Sequence, residues 1–333
     1  MALLVTVVVA GMGRSAAGPL TPAEAVREMG RGINLGDTLE CINPGDTNGT
    51  ASEGVWENNG PARKCYFDDY QRAGFTCVRL PVNWGGHTDT NAPYDIDRRW
   101  LNRVEQVVDW ALARGLFVVL DAHHEDWLKT HYDDPARRER FERIWTQIAK
   151  RFKGKSNHLV FEILNEPHGM TIAQVNDLNA RILKIIRATN PTRLVLFTGD
   201  DWSQPDRLIA AAVPADHYVI GTFHLYFPES FANQGQGTWG SEADRAALRQ
   251  EFEKVSAWSA THGVSVLLGE FGAVSTGDPT SRRAFYAACA GEALNHGFAF
   301  NVWDDGGKFC IYQRATRDWN ELKDVIITTP HRP

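Results

Sequence analysis

Two glutamates stand at the ends of strongly apolar runs, in positions suited to acid and base chemistry. Glu166 follows Asn165 after the run LVFEIL, and Glu270 follows the run SVLLG. A carboxyl group placed in this way can donate a proton, accept one or attack a carbon centre. Two such groups facing each other suit acetal hydrolysis, in which one protonates the leaving oxygen while the other attacks or activates water.

Polar and aromatic side chains also follow the other apolar runs of the chain, so the reactive groups could share one face of a sheet. A purely structural sheet has no reason to collect such residues at one end of every strand. In chain order they are Asn34, Asp37 and Glu40; Arg79, Asn83 and Trp84; Asp121, His123, His124 and Glu125; Asn165 and Glu166; Asp200, Asp201 and Trp202; His224 and Tyr226; Glu270; and Trp303, Asp304 and Asp305.

The runs that precede these residues number eight, and they alternate with amphipathic stretches. They are nearly continuous in apolar residues, which is typical of strands buried on both faces of a parallel sheet. Eight such units without a linker predict an α/β fold, a single (β/α)₈ TIM barrel over residues 21–333, with its site at the carboxyl ends of the strands. Strands four and seven then face each other, which brings the two glutamates together. The runs are GINLG, TCVRLPV, LFVVLDA, LVFEILNEP, RLVLFTG, YVIGTFHLY, SVLLGEFG and FAFNVWD.

The intervening stretches predict helices with one apolar face. Residues 98–115 carry apolar side chains at helical spacing and end at Gly115, where a C-cap glycine is expected. Residues 141–154 show the same pattern, and residues 205–212 are the only helical candidate of the fifth unit. The first strand is followed by no GxGxxG motif, so a dinucleotide-binding fold has no support.

The bulk composition narrows the class of partner. The chain has 333 residues and a formal net charge of -6, which argues against a nucleic-acid backbone as partner. We also expect no membrane partner, and a monomer. Eleven tryptophans are many for this length, and several fall in loops, where they could stack on flat ligands. We predict that Trp303 forms the floor of the site, with Trp84 and Trp127 lining the cleft nearby. For Trp84 and Trp127 the alternative is core packing of the loops.

The amino-terminal segment and the cysteines bear on the compartment. Residues 1–20 contain a short apolar run followed by small residues, which resembles a signal peptide without its charged start. We therefore expect a secreted or extracytoplasmic protein. In an oxidising compartment a disulfide could join Cys41 and Cys65, because both lie in the first βα loop region. Two free thiols are the alternative.

Seven segments together resemble glycoside hydrolase family 5, the old cellulase family A, and within it the endoglucanase-like branches. The resemblance covers residues 24 to 320 and implies a (β/α)₈ barrel that hydrolyses β-glycosidic bonds with retention. Asp37 departs from the pattern, since many relatives have asparagine in NLGN. The segments are, in order, GINLGDTLE, GFTCVRLPVNW, VVLDAHH, FEILNEPHG, FHLYFP, LLGEFG and NVWDDGG.

The resemblance implies a role for each matching position. Glu166 of NEP matches the catalytic acid/base and Glu270 of GEFG the catalytic nucleophile. The cation of Arg79 would favour the ionised form of Glu270. The remaining matches are substrate-binding residues: Asn165 at the sugar 2-hydroxyl, His123 and His224 beside the cleaved sugar, His124 as a second histidine, Tyr226 near the nucleophile, and Trp303 as the aromatic floor.

The resemblance implies an endo-β-1,4-glucanase acting on cellulose or mixed-linkage β-glucan, with β-mannan and xyloglucan as alternative substrates. We predict no cofactor and no essential metal, because side chains can supply both the proton and the nucleophile. A metal site built from His123, His124, Glu125, Asp304 and Asp305 is one rival hypothesis. Adjacent histidines on a strand point to opposite sides, which disfavours it. A non-catalytic sugar-binding barrel is the other rival.

Overall fold

The computed structural model describes residues 19–43, 45 and 51–330, and within them the predicted barrel is confirmed. Eight parallel strands pair in chain order, and the last pairs with the first, so the sheet closes. Each predicted apolar run contains one strand. The strands are β1 (Arg31–Asn34), β2 (Cys77–Leu80), β3 (Phe117–Leu120), β4 (Leu159–Glu162), β5 (Val195–Phe197), β6 (Val219–Leu225), β7 (Val266–Phe271) and β8 (Ala299–Val302), with the hairpin β9 (Tyr312–Gln313) and β10 (Asp318–Trp319) following.

Helices surround the barrel, and their ends follow local capping rules. The helix predicted over residues 98–115 ends at Leu112, and Gly115 adopts a left-handed φ of 75° just beyond it. The helix predicted from residue 141 begins earlier, because Asp134 caps it and Pro135 occupies its first turn. The helices are α1 (Pro22–Met29), α2 (Lys64–Ala73), α3 (Arg98–Leu112), α4 (Asp126–Lys129), α5 (Pro135–Phe152), α6 (Ile172–Arg187), α7 (Pro205–Ala210), α8 (Glu229–Ala232), α9 (Glu242–His262), α10 (Pro279–Asn295) and α11 (Leu322–Thr328).

Strand side chains alternate between two apolar cores. Val78 and Leu80 of β2 point outward and pack in the layer between the sheet and the helices. Cys77 of the same strand points into the barrel, where α1 closes the bottom with Val26 and Met29. Arg79 is also buried. By the same alternation it points inward, one layer above Cys77. The lower barrel is therefore apolar, whereas its upper layer is charged.

Several sequence predictions concern the periphery of this fold. The predicted signal segment lies outside the described residues except for residues 19 and 20, so export stays a prediction. Cys41 is buried and Cys65 packs from α2 against the core, and both are free thiols. The predicted disulfide between them is therefore wrong. In the part of the chain that the structure describes, no helix is long and apolar enough to cross a membrane.

Candidate active site

A fully buried arginine on β2 forms the base of the site. The Arg79 guanidinium donates from Nε and Nη2 to both carboxylate oxygens of Glu162, at 2.7 and 2.9 Å. Its Nη1 donates to Oε1 of Glu270 at 2.7 Å, and Nη2 lies 2.8 Å from Oδ2 of Asp121. Burial alone would lower the pKa of Arg79, but the three carboxylates together raise it well above its usual value. The cation is therefore permanent.

Two asparagines complete the surroundings of the guanidinium. Asn34 accepts from Arg79 Nη1 at 3.1 Å, and Asn165 accepts from Nη2 at 2.8 Å. Glu162 and Asp121 are the anionic partners of Arg79. The sequence placed Asp121 among the strand-end polar residues without a role, and it did not single out Glu162. A charged residue inside the apolar strand β4 was the available signal for Glu162, because a charge is buried there only with a partner.

Glu270 is held from both sides of its carboxylate. Arg79 binds Oε1, and the Tyr226 hydroxyl donates to Oε2 at 2.9 Å. Burial and the nearby carboxylates Glu270 and Glu166 raise the pKa of Tyr226 well above its usual value, so the phenol remains a donor. These two bonds fix the direction of the Glu270 oxygens, and the side chain is only 5% exposed at the floor of the cleft.

A bulge in β7 brings His224 beside Glu270. The β6–β7 ladder pairs Phe223 with Leu268 and then His224 with Glu270, so Gly269 is an extra residue. A Cβ atom at Gly269 would lie 2.8 Å from Nε2 of His224, closer than side chains normally approach. A larger residue at this position of GEFG would therefore force His224 or the strand to shift.

His224 lies between the two glutamates. Its Nδ1 is 2.8 Å from Oε1 of Glu166 and 3.7 Å from Oε2 of Glu270. Burial would lower the pKa of His224, but the two carboxylates raise it overall. One oxygen from each glutamate and the histidine nitrogen all lie within 4.8 Å of one another. Glu166 is the more accessible glutamate, with 18% of its side chain exposed.

His123 lines the cleft and is kept neutral. Its Nδ1 lies 2.8 Å from a carboxylate oxygen of Asp121, and its Nε2 lies 3.3 Å from the Asn165 amide nitrogen. Burial lowers the pKa of His123 well below its usual value. A neutral ring that donates from Nδ1 to Asp121 can accept at Nε2 from Asn165, so both contacts are satisfied by one tautomer.

A cleft of about 990 Å³ opens above this network, and aromatic side chains line it. Trp303 lies on its wall, parallel to His123 with ring centroids 5.9 Å apart. Gly36 allows this position, because a Cβ atom there would lie 2.8 Å from the indole of Trp303. Trp56 and Trp202 also line the cleft. The sequence placed Trp202 among the strand-end residues of one face, but neither tryptophan was assigned a binding role.

Two other tryptophans do not line the cleft, so the prediction for them is wrong. Trp84 is fully buried and donates from its indole to the Asp121 carbonyl at 2.8 Å. The loop after β2 therefore folds inward onto the strand ends. Trp127 is half-buried and donates to Glu125, while the guanidinium of Arg140 lies 4.5 Å above its ring. Both indoles stabilise loops rather than offer a free face.

The predicted site residues come together at one end of the barrel. Their individual roles remain predictions, but their placement falls into two layers. Glu166, Glu270, His123, His124, His224, Tyr226 and Trp303 line the cleft, whereas Arg79 and Asn165 lie buried beneath it.

Asp37 adds an acidic group to the cleft wall. Its backbone is left-handed, with a φ of 47°, a conformation that aspartate and asparagine tolerate. Burial raises the pKa of Asp37 to about 7, and the neighbouring carboxylates of Asp305 and Glu57 contribute. The departure from asparagine noted in the sequence therefore places a weak acid at the ligand surface.

One group of described residues has the spacing of a metal site. It consists of Glu166, His224 and Glu270, which also hydrogen-bond one another or their neighbours. In the rival metal site predicted from sequence, two of the proposed ligands make hydrogen bonds to protein groups. His123 pairs with Asp121, and Glu125 accepts two backbone N–H bonds from the loop after β2. The site geometry therefore favours proton transfer and nucleophilic attack.

Comparisons with known proteins agree with this geometry. The family model for cellulase, glycosyl hydrolase family 5, matches residues 41–308. Endoglucanase H of Acetivibrio thermocellus is 45% identical over 306 residues, which cover 90% of this chain and 33% of that protein. Endoglucanase B of Clostridium cellulovorans is 31% identical over 351 residues, covering 94% of this chain and 76% of that protein. The chain thus spans about a third of the length of the first relative.

Solved structures share the whole barrel. A tri-modular endo-β-1,4-glucanase from Bacillus licheniformis superposes with a TM-score of 0.85 at 35% identity, covering 93% of this chain and 60% of that one. Cel5A of Thermotoga maritima, solved with mannotriose, has a TM-score of 0.85 at 32% identity. That match covers 92% of this chain and 100% of Cel5A.

Proposed function

Because the chain belongs to glycosyl hydrolase family 5, the cellulase family, we propose that it is a retaining endo-β-1,4-glucanase that acts on cellulose or mixed-linkage β-glucan. The observation that carries the proposal is the arrangement of Glu166 and Glu270. Their nearest oxygens lie within 4.8 Å of each other. Inverting enzymes need about 6.5–9.5 Å between the carboxyl groups to admit a water, so the short separation supports direct attack by one of them.

In the first step Glu270 attacks the anomeric carbon and the bond to the leaving oxygen breaks. Glu166 gives its proton to that oxygen, so the leaving sugar departs as a neutral alcohol. Arg79 and Tyr226 hold the two oxygens of Glu270, which fixes the attacking direction. The product of this step is an ester between the sugar and Glu270, and Glu166 is left ionised.

In the second step a water replaces the departed sugar. Glu166 takes a proton from the water, whose oxygen attacks the anomeric carbon from the face that the leaving group vacated. The ester bond breaks, Glu270 is released as a carboxylate, and Glu166 regains its proton. Two displacements restore the original β configuration. Glu270 supplies the nucleophile, and Glu166 carries the proton that leaves in the first step and returns from water in the second.

The reaction is tested by removing the nucleophile. In Glu270→Ala the rate of β-glucan hydrolysis should fall by on the order of 10⁴-fold or more, because no covalent intermediate can form. Added azide should restore part of the rate by filling the vacated space and should give a glycosyl azide of inverted configuration. With the unmutated enzyme, NMR of the first product should show the β anomer. An α product would overturn the retaining mechanism.

β-Mannan is the second candidate substrate. One observation favours it: Cel5A of Thermotoga maritima was solved both with mannotriose and with cellobiose. The deciding experiment compares kcat/KM on barley β-glucan, carboxymethylcellulose, xyloglucan and mannan. We expect barley β-glucan to be cleaved fastest. A higher kcat/KM on mannan would reassign the substrate without changing the two-carboxylate chemistry.

A further inference from the structure

Trp202 is the most exposed tryptophan of the cleft, and its backbone is strained. It has 49% of its surface exposed although it is a large apolar residue. Asp201, Trp202 and Ser203 have consecutive φ angles of 45°, 63° and 56°. Such left-handed conformations are costly for residues other than glycine and persist only where the surroundings impose them. A hydrogen bond from Ser203 N to the Asp200 carbonyl and an ion pair between Asp201 and Arg207 hold the turn, and one neighbouring ring packs on the indole itself.

His168 is that neighbour. Its ring stacks on the indole of Trp202 with centroids 4.1 Å apart and planes inclined by only 11°. Trp202 is among the described side chains that line the cleft, and His168 is not. The imidazole therefore covers part of the indole, while about half of the Trp202 surface remains exposed.

His168 is itself fixed by three contacts, one through its backbone and two through its ring. The backbone N–H of His168 donates to the Glu166 carbonyl at 2.6 Å, and Nδ1 of its ring lies 3.1 Å from the same oxygen. Its Nε2 lies 3.3 Å from Oδ1 of Asp126, in the loop after β3. One ring thus connects the peptide of Glu166 to the indole of Trp202.

The position of Trp202 identifies the part of the ligand that it would meet. Glu166 protonates the leaving oxygen in the proposed reaction, so the leaving sugar lies on its side of the cleft. Trp202 follows β5, the strand next to the one that precedes Glu166. Trp303 follows β8 and stacks beside His123, away from β5. A flat indole on the β4–β5 side can stack on the face of the leaving sugar.

We propose that His168 is a positioning residue that holds Trp202 as the platform for the leaving sugar and couples that platform to Glu166. This inference rests on the proposed function, because it assigns Glu166 the role of the acid. His168 touches neither the substrate nor the reacting atoms. Its effect is confined to substrates whose leaving group is a sugar, since only these need the platform and a well-placed proton donor.

Two substrates separate this role from a general defect. Cellotetraose leaves a sugar and needs both the platform and the proton. The 2,4-dinitrophenyl β-cellobioside leaves a stable phenolate and needs neither. In His168→Ala, kcat/KM on cellotetraose should fall by about fivefold to tenfold, mainly through KM. The rate on the aryl glycoside should stay within about twofold of the unmutated enzyme.

Further variants identify the stack as the cause. His168→Phe retains a flat ring and should recover most of the cellotetraose activity if stacking dominates. The double variant with Trp202→Ala should be no worse than Trp202→Ala alone, because the two rings act as a unit. His158→Ala is the matched control. His158 also stacks on an aromatic ring, Phe117, at 4.1 Å and 8°, but beside the start of β3, at the opposite end of the strands from the cleft.

The outcomes are distinguishable. Equal losses on both substrates, or additive losses in the double variant, would overturn the role of His168 and leave the proposed function intact. Full cellotetraose activity in His168→Ala would do the same. An unmutated enzyme that cleaves neither substrate would overturn the proposed function, and this inference with it.

Discussion

At the scale of residues, the buried guanidinium of Arg79 organises the carboxylates beneath the cleft. Arg79 faces three carboxylates, and only Glu270 among them extends to the cleft floor. Glu162 and Asp121 balance the guanidinium from below, so the charge remains stable inside the barrel. Burial nevertheless raises the pKa of Asp121 to about 6. The network therefore concentrates negative charge around one arginine.

Asp37 gives a prediction at this scale. Its pKa is raised to about 7 in the fold from a usual value of 3.8, so the folded state holds a proton that the unfolded chain releases. This contribution to stability is complete below about pH 4 and is lost as the pH rises to about 7. Asp37→Asn should therefore raise the free energy of unfolding by about 1–2 kcal/mol at pH 8, and by little at pH 4.

Urea unfolding of both proteins at the two pH values measures this difference. Asp68→Asn is the control, since the Asp68 side chain is 34% exposed and its pKa is lowered, not raised, by a hydrogen bond from Arg114. An equal effect of Asp37→Asn at pH 4 and pH 8 would contradict the assignment.

At the scale of elements, one irregularity in the sheet determines which residue of β7 lies beside His224. Regular pairing of β6 with β7 would place Gly269 opposite His224. The bulge instead places Glu270 there, and the Asn34 amide donates to the Gly269 carbonyl at 3.2 Å. The local register of two strands thus decides which side chain meets the histidine.

Gly269→Ala tests this register. The added methyl group would collide with Nε2 of His224 and with Oγ1 of Thr222, at 2.8 and 2.9 Å. We expect the free energy of unfolding to fall by about 1–3 kcal/mol, and kcat/KM to fall by about tenfold or more because the catalytic groups shift.

Gly291→Ala provides the matched control for the bulge. It lies within α10, where a Cβ atom would meet only a methyl group of Thr329 at 3.4 Å. Alanine should be neutral or stabilising there, because glycine is a poor helix former. Both variants are compared by thermal unfolding and by steady-state kinetics on barley β-glucan. Normal kinetics in Gly269→Ala would show that the bulge does not control the site.

At the scale of the whole molecule, the apolar residues that stabilise the interior of the barrel and the charged residues of the site lie at opposite ends of the strands. The charged layer lies at the carboxyl ends of the strands, and the apolar layer at the other end is closed by α1. A capping box of Thr21 and Glu24 starts this helix, and a left-handed Gly30 ends it just before β1. The bottom of the barrel can therefore be weakened without touching the site.

Met29→Ala tests that separation. Met29 is fully buried against the interior of the barrel, so its truncation should lower the free energy of unfolding by about 2–5 kcal/mol. The kcat of the folded fraction at 25 °C should remain unchanged. Glu28→Ala on the exposed face of the same helix is the control and should alter neither quantity. A reduced kcat in fully folded Met29→Ala would show that the two ends of the barrel are coupled.

Local patterns in the chain were sufficient to predict the barrel and the place of the two glutamates. A strand buried on both faces must be continuously apolar, so each of the eight strands has its own signal in sequence. The parallel fold then places all carboxyl ends together, which is why strand-end residues such as Glu166 and Glu270 could be assigned to one site. The motifs NEP and GEFG around these glutamates then indicated the type of reaction.

Only the tertiary structure decided which loop residues face the cleft and which partners they have. Trp84 and Trp202 both follow a strand, yet one folds inward to bond the Asp121 carbonyl and the other stays half-exposed on His168. Loop direction depends on long-range contacts that no local pattern encodes. The raised pKa of Asp37 likewise depends on burial among carboxylates that are distant in sequence. The chain by itself therefore determines the scaffold and its reactive pair, whereas packing between distant loops determines the ligand surface.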